Sequence, residues 1–194
     1  LWTLPMFHCN GWCFPWAVTA VGGTHVCLRK VDPALVWDLL RDEGITHMNG
    51  APTVQIGLVN HEKAHRLEHE VTVTVAGSPP SPTLLEQMRK LNLRPVHVYG
   101  LTETYGPHTV CEWQPGWEEL DGDEQARVLS RQGVAYVTAE HLRVVDQDMA
   151  DVPRDGATLG EVVMRGNNVM KGYHEAEDLT QDVFLKIFKS LHTF

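Results

Sequence analysis

Basic residues are scarce in this 194-residue sequence. Sixteen Lys and Arg stand against 25 Asp and Glu, for a formal charge of −9. Duplex nucleic-acid binding needs clustered Lys and Arg to neutralise phosphates, so the charge argues against that class. Long apolar runs are also lacking. Pro, Gly or a charge interrupts every candidate before the roughly 20 residues that a bilayer-crossing helix requires. The apolar opening has neither a basic n-region nor a small-residue cleavage site, so it does not read as a secretory signal. Cysteines number only four, Cys9, Cys13, Cys27 and Cys111, all in apolar contexts. A chain of this size needs no disulfide staples, so buried thiols in a reducing, cytoplasmic compartment are expected.

What is present has the composition of a globular protein, 43% hydrophobic and 21% charged, and is long enough for one good-sized domain or two small ones. Helical spacing of apolar residues predicts a helix over 12–20, and Thr24–Leu28 is a short β-prone run. Asp32-Pro33 is an N-cap and N1 pair that opens a helix through Glu43, with Leu35, Val36, Leu39 and Leu40 as its core stripe and Gly44 as its stop. Ile45–Met48 reads as a strand and Thr53–Val59 as a helix. Val71–Ala76 is β-branched and reads as a strand, the Gly- and Pro-rich stretch 77–82 as a loop, Thr83–Leu91 as a helix and Pro95–Tyr99 as the next strand. Strands separated by helices of this length predict an α/β fold with a parallel βαβ sheet and helices on both faces. Beyond residue 110 the pattern changes. Glu112–Ala126 carries six acids and no Lys or Arg, which predicts a solvated loop. Short strands at Ala135–Thr138, Leu142–Val145 and Glu161–Arg165 then predict an antiparallel or barrel-like β unit. The boundaries that follow are 1–110 for the α/β part, 111–184 for the β-rich part and 185–194 for a divergent tail.

In open α/β sheets, ligands bind at the carboxyl ends of strands, which points to the loops 77–82 and 100–106. The second carries Thr102, Glu103 and Thr104. Adjacent hydroxyl and carboxylate groups suit a phosphate with its Mg²⁺, although Thr102 as a helix cap accounts for the same residues. A different chemistry is spelled by His61-Glu62-Lys63-Ala64-His65, which matches H-E-x-x-H, with His69 extending the row. On a helix the three imidazoles would share a face and could hold zinc, with Glu62 as general base. The neighbours Lys63, Arg66 and Glu68 favour a polar connection instead.

Four segments, in order, resemble the acyl-adenylate-forming (AMP-binding) superfamily, which includes acyl-CoA synthetases, peptide-synthetase adenylation domains and luciferases. Tyr99-Gly100-Leu101-Thr102-Glu103 resembles its Y-G-x-T-E signature, and Pro5-Met6-Phe7-His8-Cys9-Asn10-Gly11 its P-x-F-H-x-x-G segment. Ala76-Gly77-Ser78-Pro79-Pro80 resembles its adenine loop. Gly160-Glu161 through Arg165-Gly166, followed by Gly172-Tyr173, resembles its G-E-(x)3-R-G-(x)5-G-Y segment. The Cys-Asn-Gly-Trp run and Arg131-Gln132-Gly133 are similar to the short- and medium-chain fatty-acid and methylmercaptopropionate CoA ligases.

The resemblance implies ATP, Mg²⁺ and coenzyme A acting with a small carboxylic acid. Gly77, Ser78 and Pro79 would line the adenine and acyl sites, with Tyr99 against the adenine and Gly100 in the same nucleotide loop. Thr102 would contact phosphate and Glu103 would hold Mg²⁺. His8 would lie near the acyl carbonyl and the thiol entry path, and Trp12 would wall the acyl pocket. Plain core packing is the competing account for Trp12 and Trp16, and turn geometry for Gly77 and Gly100. The family's phosphate loop is expected upstream of Leu1, and its T-G-D segment and C-terminal Lys are not found in the sequence. These differences predict an internal fragment with little or no activity alone. The other class of reading is a non-catalytic adenylate-binding or structural remnant. Composition leaves a homodimer open.

Overall fold

The computed structural model describes residues 1–174, and the divergent tail assigned to 185–194 lies outside them. A five-stranded sheet runs in the order β1 (His47–Gly50), β2 (Val71–Val75), β3 (Leu93–Leu101), β4 (Gly106–Cys111) and β5 (Val134–Ala135). The first three strands are parallel, joined by α4 (Pro52–Val59) and α5 (Pro82–Lys90), while β4 and β5 are antiparallel to their neighbours. The βαβ reading therefore holds, and it extends into two returning strands.

The register explains how both faces are covered. Val71, Val73 and Val75 share a face with Leu93 and His97, and they pack with Trp37, Leu58, Leu84 and Met88. On the same face Cys111 meets the carbonyl of Val128 in α6 (Gly122–Leu129) at 3.4 Å. Val96 and Val98 point the other way, into a cluster with Leu4, Trp12 and Ala76. The N-terminal segment thus covers the second face. It holds α1 (Cys9–Trp12) and α2 (Phe14–Ala20), two pieces rather than one helix over 12–20, because Cys13 adopts φ +69 between them.

Capping set the helices that were easiest to foresee. In α3 (Pro33–Asp42) the Asp32 carboxylate accepts the Ala34 N–H at 2.9 Å, and in α5 the Ser81 hydroxyl accepts the Leu84 N–H at 3.2 Å. The buried stripe of α3 is Val36, Trp37 and Leu40, not the expected set, and Leu35 faces solvent. Trp37 takes the inward position because its indole N–H finds the Leu58 carbonyl at 3.0 Å. Thr24–Leu28 does not become a strand. Its only sheet-like feature is a bridge between Trp2 and Cys27.

The acid-rich stretch is a loop only in part: 112–121 is irregular apart from a 3₁₀ turn at Trp117–Glu119, and a helix begins at Gly122. Asp121 caps α6 by accepting the Glu124 N–H at 2.8 Å, and Asp123 and Glu124 fill the first turn, where the helix dipole favours negative charge. Of the strand expected at Ala135–Thr138 only Ala135 is extended, in β5 of the main sheet, and 137–138 form a turn. The smaller antiparallel unit is β6 (Arg143–Val145) against β7 (Glu161–Val163). Its connection turns on Asp155, which accepts from the N–H groups of Ala157 and Thr158 and from the Thr158 hydroxyl. Those bonds pull the carboxyl down to about 2.

Gln55 of α4 is a local conflict in this core. It is fully buried, and among the described residues neither end of its carboxamide has a hydrogen-bond partner. A buried polar group left unpaired costs about 1–3 kcal/mol. Gln55→Leu, close in volume, is expected to raise stability by about that amount, read as a higher urea midpoint with unchanged m-value. A lower midpoint would mean that the amide is satisfied in solution.

Candidate active site

The carboxyl ends of β1, β2 and β3 share one edge of the sheet because those strands are parallel. Three segments meet there. The first follows β2: Gly77, Ser78 and Pro79 are exposed at the turn, and Gly77 faces Ala51 at the end of β1. The second is a 3₁₀ turn, Thr102–Thr104, linking β3 to β4. The third is the N-terminal segment, whose Cys9 sulfur lies 3.4 Å from the Thr102 hydroxyl.

Thr104, not Thr102, closes the 3₁₀ turn. Its buried hydroxyl accepts the Leu101 N–H at 2.9 Å and donates toward the carbonyls of Leu101 and Gly106 at 3.1 and 3.0 Å. The cap expected of Thr102 is therefore made by its neighbour but one. Thr102 is exposed and Glu103 half-buried, and neither is needed to close the backbone. The Gly100 step allows this geometry. A Cβ there would sit 1.9 Å from the Gly106 carbonyl oxygen, where the β3–β4 register shifts.

Tyr99 pairs across the ladder with Thr109. Its hydroxyl is buried without a partner among the described residues, and burial pushes its ionisation up to about 12. The phenol stays protonated, so it brings no charge to this edge. Trp12 is buried against Val96, Val98 and Ala76 and also touches Gly106. It forms an apolar wall beneath the edge, whereas Trp16 is half-exposed and lies 6.2 Å from the Tyr105 ring. His8 is exposed, and the N-terminal segment turns through a bond from its N–H to the Pro5 carbonyl at 3.1 Å.

One set of contacts was not foreseen. Residues 166–173 return across the 3₁₀ turn. The Asn168 amide donates to the Thr104 carbonyl at 3.1 Å and reaches the buried His108 ring at 3.4 Å. The Met170 N–H donates to the Glu103 carbonyl at 2.8 Å, and the Tyr173 hydroxyl donates to Glu103 Oε1 at 2.6 Å. The signal in the sequence was the Gly172-Tyr173 resemblance, which carried no role for the side chain.

The zinc row does not form. Residues 61–70 contain no helix, and the three imidazoles are spent separately. His61 accepts the Lys63 N–H, His65 meets the Lys63 carbonyl and lies tilted against Trp37 with ring centroids 5.2 Å apart, and His69 meets the Ile45 carbonyl. The cysteines also differ from expectation. All four are free thiols, but only Cys111 is buried. Glu103 offers one carboxylate beside a hydroxyl, which fits Mg²⁺ arriving with phosphate oxygens better than a metal held by protein alone.

A family model described as AMP-binding enzyme matches residues 1–174. The chain belongs to the AMP-binding enzyme family. It is 48% identical over 186 residues to 4-hydroxybutyrate–CoA ligase 2 of Metallosphaera sedula, an alignment covering 95% of this chain and 34% of that protein. It is 46% identical over 188 residues to the peroxisomal acetate/butyrate–CoA ligase of Arabidopsis thaliana, covering 95% and 33%. The chain thus spans about a third of the length of these relatives. In fold it resembles the O-succinylbenzoate coenzyme A synthetase of Bacillus subtilis in complex with AMP. The TM-score is 0.75 at 22% identity, covering 95% of this chain and 36% of that one. No helix among the described residues is long and apolar enough to cross a membrane.

Proposed function

We propose that this domain serves an ATP-dependent acyl-CoA synthetase acting on a short- or medium-chain carboxylic acid. The carrying observation is that Thr104 is the side chain that closes the 3₁₀ turn, so neither the Thr102 hydroxyl nor the Glu103 carboxylate is used to close it at the carboxyl edge of the sheet. Relatives named for 4-hydroxybutyrate and for acetate and butyrate support the acid class. A related fold has been solved with ATP and a magnesium ion, which supports the co-substrates. The free thiols suit a reducing compartment such as the cytoplasm, although one relative is named as peroxisomal.

In this reading the substrate carboxylate attacks the α-phosphorus of ATP, and pyrophosphate leaves with the electron pair of the broken P–O bond. The deprotonated sulfur of coenzyme A then attacks the acyl carbonyl, and AMP leaves. Thr102 holds a phosphate oxygen by its hydroxyl, and Glu103 would hold Mg²⁺, which supplies charge neutralisation as the phosphorus is attacked. Gly77, Ser78 and Pro79 border the adenine and the acyl chain. Gly100 keeps the turn close to β4, and the Tyr99 ring lies against the adenine. Trp12 gives the acyl chain an apolar wall, and His8 stands on the exposed segment beside the carbonyl.

The test is calorimetric titration with a non-hydrolysable butyryl-adenylate analogue. Saturable binding is expected, weakened about 10- to 100-fold by Thr102→Ala, the range of one hydrogen bond to a charged group. No binding by the unsubstituted chain would favour a structural remnant.

A further inference from the structure

We infer that Tyr173 is a positioning residue for Glu103, fixing the carboxylate through Oε1 so that it presents Oε2 to a nucleotide-bound Mg²⁺. This rests on the proposed reading of Glu103 as the metal carboxylate. Three bonds tie residues 166–173 to the 3₁₀ turn, and they differ in kind. Asn168 and Met170 satisfy the carbonyls of Thr104 and Glu103, groups that any packed turn must satisfy. Tyr173 satisfies nothing that the fold requires. The residue is 43% exposed, and water could solvate the carboxylate in its place.

The bond is nevertheless short. At 2.6 Å it lies in the range of a charge-assisted O–H···O⁻ contact. An untethered glutamate side chain samples several rotamers, and ordering it opposes every binding event that uses it. The bonds from the Asn168 side chain and the Met170 N–H hold the strap at the turn, so Tyr173 delivers its hydroxyl from an anchored position. Outer-shell partners that orient a ligating group commonly change metal affinity by 10- to 100-fold when removed. With one oxygen occupied by the phenol, the carboxylate serves as a monodentate ligand. That is the mode suited to the compact octahedral shell of Mg²⁺, which keeps several waters.

The test measures ATP binding to the 194-residue chain by calorimetry, first in EDTA and then across a Mg²⁺ titration, with thermal unfolding in parallel. Tyr173→Phe is expected to raise the Mg²⁺ midpoint about tenfold. ATP affinity in EDTA and the unfolding temperature should stay unchanged. Glu103→Gln is expected to remove the Mg²⁺ effect altogether. If Glu103→Gln removes it and Tyr173→Phe leaves the midpoint in place, the positioning role is wrong and the reading of Glu103 stands. A lower unfolding temperature without a change in midpoint makes the tyrosine a structural strut and also overturns the inference. A wild-type chain with no Mg²⁺ effect, or an effect that survives Glu103→Gln, overturns both.

Discussion

Gly100→Ala is expected to destabilise the chain by on the order of 3–5 kcal/mol and to abolish binding of the adenylate analogue. The added carbon would lie 1.9 Å from the Gly106 carbonyl oxygen, 2.7 Å from its carbon and 3.0 Å from the His108 nitrogen. All three are backbone atoms, so no side chain can swing aside. Relief requires β4 to move away from β3, and these two central strands are paired from His97 to Leu101. The same movement would pull Gly106 from the Thr104 hydroxyl and open the turn that carries Thr102 and Glu103. Native domains have only about 5–15 kcal/mol of stability, so the expected loss is a large fraction of it. Urea unfolding of wild type and variant provides the measurement. A midpoint within error of wild type would show that the two strands separate cheaply, and the account of the turn would then be wrong.

Glycine in Y-G-x-T-E was therefore legible as a motif before its physical reason was. A turn requirement was the competing explanation, yet Gly100 needs no positive φ; it needs the absence of a carbon where β4 crosses. Local signals were read correctly when they acted locally. Asp32-Pro33 opened a helix because a cap bond spans only two or three residues, and Ser81-Pro82, expected within the loop 77–82, does the same for α5. Val71–Val75 alternates β-branched residues and became a strand with both neighbours in place. Thr24–Leu28 had similar propensity and failed, since a strand needs a partner and propensity does not supply one. The acid-rich stretch misled for the opposite reason. Charge density predicts solvation, but three of those acids sit at the cap and first turn of α6, where charge is favourable.

The site shows the same division. The exposed hydroxyl, the carboxylate and the Gly77–Pro79 turn lie in contiguous motifs and could be picked out by pattern. Which threonine closes the turn could not, because Thr102 and Thr104 are chemically alike and only the path of β4 distinguishes them. The bond from Tyr173 to Glu103 spans 70 residues, and no periodicity reports a contact at that separation. The His61–His69 row marks the converse limit. Its spacing is meaningful only on a helix, and the chain there is irregular.

Gly133→Ala should produce a clash as severe as Gly100→Ala with a different outcome. Its added carbon would lie 2.0 Å from the Val110 carbonyl oxygen and 2.2 Å from the Val110 carbon, and its backbone has φ +83, which L side chains rarely adopt. The strand that must yield here is β5, two residues long and at the edge of the sheet, whereas β4 is held by the longer ladder to β3. Detaching β5 removes the clash without disturbing the central strands. The Tyr136 N–H, which donates to the His108 carbonyl at 2.8 Å, reports that detachment. Hydrogen exchange at Tyr136 is expected to accelerate at least about 30-fold, a local loss of roughly 2 kcal/mol, while the Val98 amide and the Thr109 amide, which faces β3, keep their protection. Uniform acceleration at all three sites would mean that β5 and the central strands open as one unit. Arg131-Gln132-Gly133 drew notice only as a resemblance. The expected local opening gives its glycine a physical task, which is to let an edge strand approach a carbonyl too closely for any side chain.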